Sequence, residues 1–208
     1  WDGNTKKSRE ILSVAARGNR SSISDSLVIE TNVLNDIYDR NYEEALKEIS
    51  HLKCNVLQGQ AYFRPKYLYY ATIYGLMNKP ELEHAYYDSA RIFLESKIIN
   101  MTNDQRLYGS LGIVYAGLGY NEKAINAGEK ATKLLPVSKE AYRGVYPIED
   151  LALIYVMTGK YDKALEQIEY LLSIPGFLST KILEIDPRWA PLKNQLGFKK
   201  IIEKYTVK

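Results

Sequence analysis

The sequence predicts an all-α fold, a solenoid of stacked helical hairpins with a C-terminal capping helix, on three observations. One phrase recurs: TGKYDKALEQ (158–167), LGYNEKAINA (118–127) and, more faintly, DRNYEEALKE (39–48) each run from Gly or Asn through an aromatic and several charges to Ala. The copies stand roughly 35 to 40 residues apart, the period of a stacked-repeat protein. Proline punctuates the same frame: Pro136 and Pro175 stand where a second helix should stop, and Pro80 where one should start.

Segment 105–138 sets the frame. Tyr108, Leu111, Gly112, Tyr115, Ala124, Gly128, Ala131 and Pro136 give Y-x2-L-G-x2-Y-x8-A-x3-G-x2-A-x4-P. This is the tetratricopeptide pattern, with Tyr where Trp often stands and Gly where an aromatic often stands. Its physics is two antiparallel helices whose small residues let the backbones approach closely. The expected stack is therefore a right-handed α-solenoid.

The other segments follow in that frame. In 145–178, Ile148, Leu151, Ala152, Tyr155, Ala164, Ile168 and Leu171 fall at the same offsets, and Pro175 arrives one residue early. In 64–97, Tyr67, Tyr70, Ala71, Tyr74, Tyr87 and Ala90 fit, while Glu83 takes a place expected to be Ala. Segment 26–59 is degenerate: Ile29, Val33, Ala45, Ile49 and Leu52 fit, but Asp36 stands where Tyr is usual, and NYEEALKEISHL supplies an amphipathic second helix. Residues 1–22 read as the second helix of a truncated preceding repeat, because Gly3, Ser8, Leu12 and Ala15 repeat the offsets of Gly159, Ala164, Ile168 and Leu171. The chain is thus expected to be part of a longer protein. Residues 179–208 form the expected cap: a short helix, a Pro-bracketed turn, and a last helix near 195–205, with Trp189 and Phe198 covering the end of the array.

Composition narrows function. The 28 basic and 25 acidic residues are interspersed, leaving a net charge of +3 and no basic stripe, so nucleic acid is not an expected partner. No run has the length of a membrane span, so no membrane contact is expected from this region itself. One Cys excludes an internal disulfide framework. Eighteen Tyr against four Phe suit either helix packing in a solenoid or an interface with one wet side.

Enzyme chemistry finds no foothold. The two His, His51 and His84, and Cys54 do not reach zinc-ligand spacing. The glycines of YAGLGY read as a helix end and turn, and Glu43-Glu44 and Glu149-Asp150 as ordinary charges of amphipathic helices. No catalytic residue, metal or cofactor is expected.

Beyond the generic pattern, AYYDSARIFLE, LGIVYAGLGYNEKAINAGEKATKLLPVSKEAY, LALIYVMTGKYDKALEQIEYLLSIPG and LEIDPRWAPLKNQLGFKKIIEKY together resemble the C-terminal tetratricopeptide regions of bacterial multidomain signalling proteins. Those regions follow a Ser/Thr kinase, a class III adenylyl cyclase or a winged-helix domain. The resemblance covers 67–208 well and 1–66 loosely, and departs at Leu196-Gly197, where such regions usually carry a second Asp-Pro pair. It implies a regulatory or interaction module, on either side of a membrane, in which the first helices line a concave groove. On this chain the implied groove residues are Leu34, Tyr38, Leu68, Thr72, Arg106, Ile113, Tyr146, Glu149, Leu153 and Met157. The row is mainly apolar, with Arg106 available to fix an acidic or carbonyl group. Packing against neighbouring helices is an equally open reading for any one of them.

The expectation is a non-enzymatic module that holds a peptide, a partner protein or its own upstream domain in the groove. The alternatives are a homodimerisation module and, against the interspersed charges, a helical-repeat RNA binder.

Overall fold

The computed structural model describes residues 3–17 and 25–206, and these are mostly helical. In chain order they form α1 (Thr5–Arg17), α2 (Asp25–Tyr38), α3 (Tyr42–Ser50), strands β1 (Val56–Gln58) and β2 (Phe63–Pro65), α4 (Lys66–Leu76), α5 (Pro80–Ile98), α6 (Gln105–Gly117), α7 (Asn121–Leu134), α8 (Val145–Met157), α9 (Tyr161–Ser173), α10 (Thr180–Ile185), a 3-10 helix (Pro187–Leu192) and α11 (Leu196–Tyr205). From α1 to α9 each helix packs on the next, and α6 also reaches α8. Of the helix expected over 1–22, residues 5–17 are seen as α1, and residues 1, 2 and 18–22 lie outside the described residues.

The recurring phrase is a recurring turn. Arg40, Asn78, Gly119 and Gly159 all take a positive φ, of 64°, 55°, 77° and 70°. After each, the next backbone N–H donates to the carbonyl five residues back: Asn41 to Asp36, Lys79 to Tyr74, Tyr120 to Tyr115 and Lys160 to Tyr155, at 2.8 to 2.9 Å. This is the Schellman closure, which satisfies the last carbonyls of the first helix and turns the chain back for the second. Glycine or asparagine takes this backbone readily; arginine does so at some strain. Arg40 offsets it by donating through its guanidinium to the carbonyls of Ile37 and Tyr38.

Close helix approach follows from the small residues around each turn. Ala45, Ala124 and Ala164, five residues after the turn residue, are fully buried. So are Val33, Ala71 and Ala152, seven residues before it, and Gly112 occupies that place in α6. A Cβ on Gly112 would lie 2.5 Å from Ile154 Cδ1 and 3.0 Å from the Ala124 carbonyl oxygen, so α6, α7 and α8 meet at that point. The degenerate segment is explained by its neighbour. Asp36, in the usual Tyr place, pairs with Arg9 of α1 at 2.9 Å, and Asn35 donates to the Ser8 hydroxyl at 3.0 Å.

The sequence reading did not anticipate the strands. The helical segment expected over 26–59 ends at Ser50, and 56–65 forms a short antiparallel hairpin with Leu57 opposite Arg64. Its residues explain it: Val56, Leu57, Tyr62 and Phe63 favour extended backbone. The Gly59 N–H closes the loop on the Tyr62 carbonyl at 3.0 Å. Strand β1 packs on α2, and β2 on α4, α5 and α6.

At the C-terminus the 3-10 helix packs on α8 and α11 packs on α9, burying Trp189, Leu192 and Phe198 in the main core. Asp186 caps the 3-10 helix by accepting from the Arg188 N–H at 2.9 Å. The beginning and end of the described chain also meet. Arg40 Nη1 donates to the Ile185 carbonyl at 2.8 Å, and a Cβ on Gly3 would lie 3.1 Å from Lys181 Cβ.

Candidate binding cavity

First-helix residues spaced three or four apart share one face, and here those faces converge. Leu34 and Tyr38 from α2, Leu68 and Thr72 from α4, Ile113 from α6, and Tyr146, Glu149, Leu153 and Met157 from α8 line one cavity of about 370 Å³. The C-terminal region closes its other side with Phe177, Ile182 and Arg188, and β2 contributes Arg64. The volume is at the lower end of the ~300–1,000 Å³ usual for small-ligand sites.

Nine of the ten residues expected in the groove are therefore brought together. Arg106 is not among them. It sits near the start of α6, where the Asp104 cap holds its guanidinium at 2.6 to 3.2 Å, and Nη1 donates to the Gly59 carbonyl at 2.7 Å. It lines a separate open cleft with Gln58 and Arg143. Leu68, Ile113 and Leu153 are only 3%, 4% and 7% exposed and belong to the hydrophobic core, so they are core and cavity wall at once.

The wall also holds polar groups that periodicity did not reveal. Glu30, one turn before Leu34, accepts a 2.7 Å hydrogen bond from the Tyr69 hydroxyl, and burial pushes its carboxyl above the usual range. The Tyr62 hydroxyl lies beside Glu30 but is buried without a well-formed hydrogen bond. Arg64 pairs with Asp150 at 2.6 Å. Arg188 is gripped by both oxygens of Asp186, at 2.6 to 3.0 Å. Each guanidinium is thus held by an aspartate of its own.

Glu149 is different. It lies between these two ion pairs, and no hydrogen bond to a described residue holds its carboxyl. Burial pushes it up to about 7 against the opposing pull of Arg188 and Arg64, with Asp150 and Asp186 adding to the rise. Glu83 is also pushed upward by burial, packed against Gly75. Aromatic rings complete the wall: Tyr38, Tyr69 and Tyr87 line it, and Tyr146 stacks on Phe177 with ring centroids 4.3 Å apart.

Helical spacing carries no mark of Arg64, Arg188 or Phe177, because a strand and the C-terminal region deliver them. Glu30 was within reach of the helical spacing, four residues before Leu34 on α2. His51, His84 and Cys54 are exposed and are not part of this cavity's lining. Among the described residues no group of three or more His, Cys, Asp or Glu is arranged to hold a metal ion. No protein-family model and no curated protein matches the chain.

Proposed function

We propose that the chain is a non-enzymatic binding module. In this reading it is a right-handed solenoid of tetratricopeptide-type hairpins, the regulatory C-terminal region of a larger bacterial signalling protein. It takes its ligand in the cavity on its concave face. The observation that supports it is the convergence of nine first-helix residues on one cavity, closed by the C-terminal region. A peptide, a partner protein or the upstream domain would insert one or a few side chains, since about 370 Å³ does not admit a helix.

The test is selection of binders from a displayed peptide library, with counter-selection on a plugged variant. Thr72→Trp fills the cavity from a half-buried wall position. Binders to the wild type should lose the variant. A set of binders indifferent to it would move the site elsewhere.

Homodimerisation is a second reading, favoured by α1. Ile11 and Val14 are 60% and 68% exposed on that helix, an apolar face with no described partner helix beyond it. Light scattering over a concentration series decides it: a constant monomer mass removes this reading.

A further inference from the structure

We propose that the group inserted into this cavity is an organic cation, an ammonium on an apolar body. The proposal rests on the cavity being the binding site, and it adds the chemistry of the occupant. Three features point the same way.

The first is the carboxyl surplus. Glu30, Glu83 and Glu149 line the cavity against Arg64 and Arg188, and both arginines already face their own aspartates, Asp150 and Asp186. An anion would have to compete with those aspartates and would meet three further carboxyls. The second is that the Glu149 carboxyl faces the cavity without a hydrogen bond to any described residue. A buried carboxylate without a partner is costly, so the site favours whatever supplies a positive donor. The third is the wall itself. Tyr38, Tyr87, Tyr146 and Phe177 offer aromatic faces, which attract an ammonium group electrostatically and also pack against its apolar body. A neutral apolar molecule would use the wall but leave Glu149 unmatched.

Glu149 is faced from every side by groups already named: Tyr38 from α2, Arg64 from β2, Asp186 and Arg188 at the 3-10 helix, and Tyr146 and Asp150 on its own helix. The cation therefore competes with the proton for this carboxyl. Its affinity should rise with pH through the titration of Glu149 at about 7.

The experiment is calorimetric titration of the full chain with three probes of matched shape: phenethylammonium, 2-phenylethanol and 3-phenylpropionate. At about pH 8 the ammonium should bind about tenfold tighter than the alcohol, and the carboxylate should not bind, given the magnitude of a desolvated cation–π and carboxylate contact. Glu149→Gln should reduce the ammonium to the level of the alcohol and abolish the rise in affinity between about pH 6 and 8. Tyr146→Leu, which keeps the apolar wall, should weaken the ammonium and spare the alcohol. Equal binding of alcohol and ammonium, or tighter binding of the carboxylate, overturns the cation assignment and leaves the cavity's binding role standing. Failure of all three probes also overturns it. Both readings fall together only if, in addition, the peptide selection is indifferent to Thr72→Trp.

Discussion

The guanidinium of Arg40 donates a 2.8 Å hydrogen bond to the backbone carbonyl of Ile185, a residue 145 positions away. Arg40 sits in the turn between α2 and α3, and Ile185 ends α10, so this bond ties the first complete hairpin to the C-terminal region. Arg40→Gly keeps the left-handed turn and relieves its strain, but removes the tie. Relief and loss are each worth about 1 kcal/mol, so global stability should change little. Amide exchange over 180–188 should quicken. Unchanged exchange there would mean that packing alone holds the two ends together.

Glu83 occupies the space a side chain on Gly75 would need, in the one hairpin where Glu replaces the buried Ala of the others. Gly75→Ala alone should be near neutral, because the flexible end of Glu83 must shift and that cost offsets the ~1 kcal/mol by which helix interiors favour Ala over Gly. In a Glu83→Ala background the same substitution should become stabilising by about that amount. Additive effects in a double-mutant cycle would refute the coupling.

Gly112→Ala places a methyl group 2.5 Å from Ile154 Cδ1 and 3.0 Å from the Ala124 carbonyl oxygen. The Ile side chain can shift, but the carbonyl belongs to α7 and moves only with that helix. The expected loss is ~1–3 kcal/mol, rising further for Gly112→Leu. Ile154→Val should rescue part of it and no more. A thermal melt at the wild-type midpoint for Gly112→Leu would show that these helices tolerate separation.

Glu149 makes stability fall with pH. Its carboxyl is raised from the ordinary value to about 7 in the fold, so between those two values the folded chain holds a proton that the unfolded chain has lost. Stability is greatest below the unfolded pKa, declines as pH rises through about 7, and is then level with respect to this group. Glu149→Gln imitates the protonated form. Its melting temperature should match the wild type near about pH 4 and exceed it near about pH 8. Burial also raises Glu30 and Glu83, so the wild-type slope is shared. The gap between the two proteins isolates Glu149. Parallel curves would show that this carboxyl titrates normally.

The sequence alone determined what depends on local periodicity and local backbone chemistry. Gly119, Gly159 and Asn78 mark turns because a left-handed residue is needed where one helix reverses into the next. Ala45, Ala124 and Ala164 mark buried contacts because helices five residues past such a turn have no room for more. The pairs Leu34 and Tyr38, Leu68 and Thr72, and Leu153 and Met157 are legible as one face because an interval of four residues returns to the same side of a helix. Tertiary structure alone decided the rest. The 56–65 hairpin is too short to outweigh its helical surroundings in any local reading, yet it carries Arg64 to the cavity. Arg188 and Phe177 arrive with the C-terminal region, far along the chain from Glu30 and Tyr38. Arg106 has the spacing of a groove residue, but Asp104, two residues before it, captures its guanidinium. Whether Leu68, Ile113 and Leu153 were core or wall had no answer in spacing, since burial depends on what the tertiary packing brings opposite them. Periodicity reports which face a residue occupies; the partner of that face is set by residues distant along the chain, and those close the cavity around Glu149.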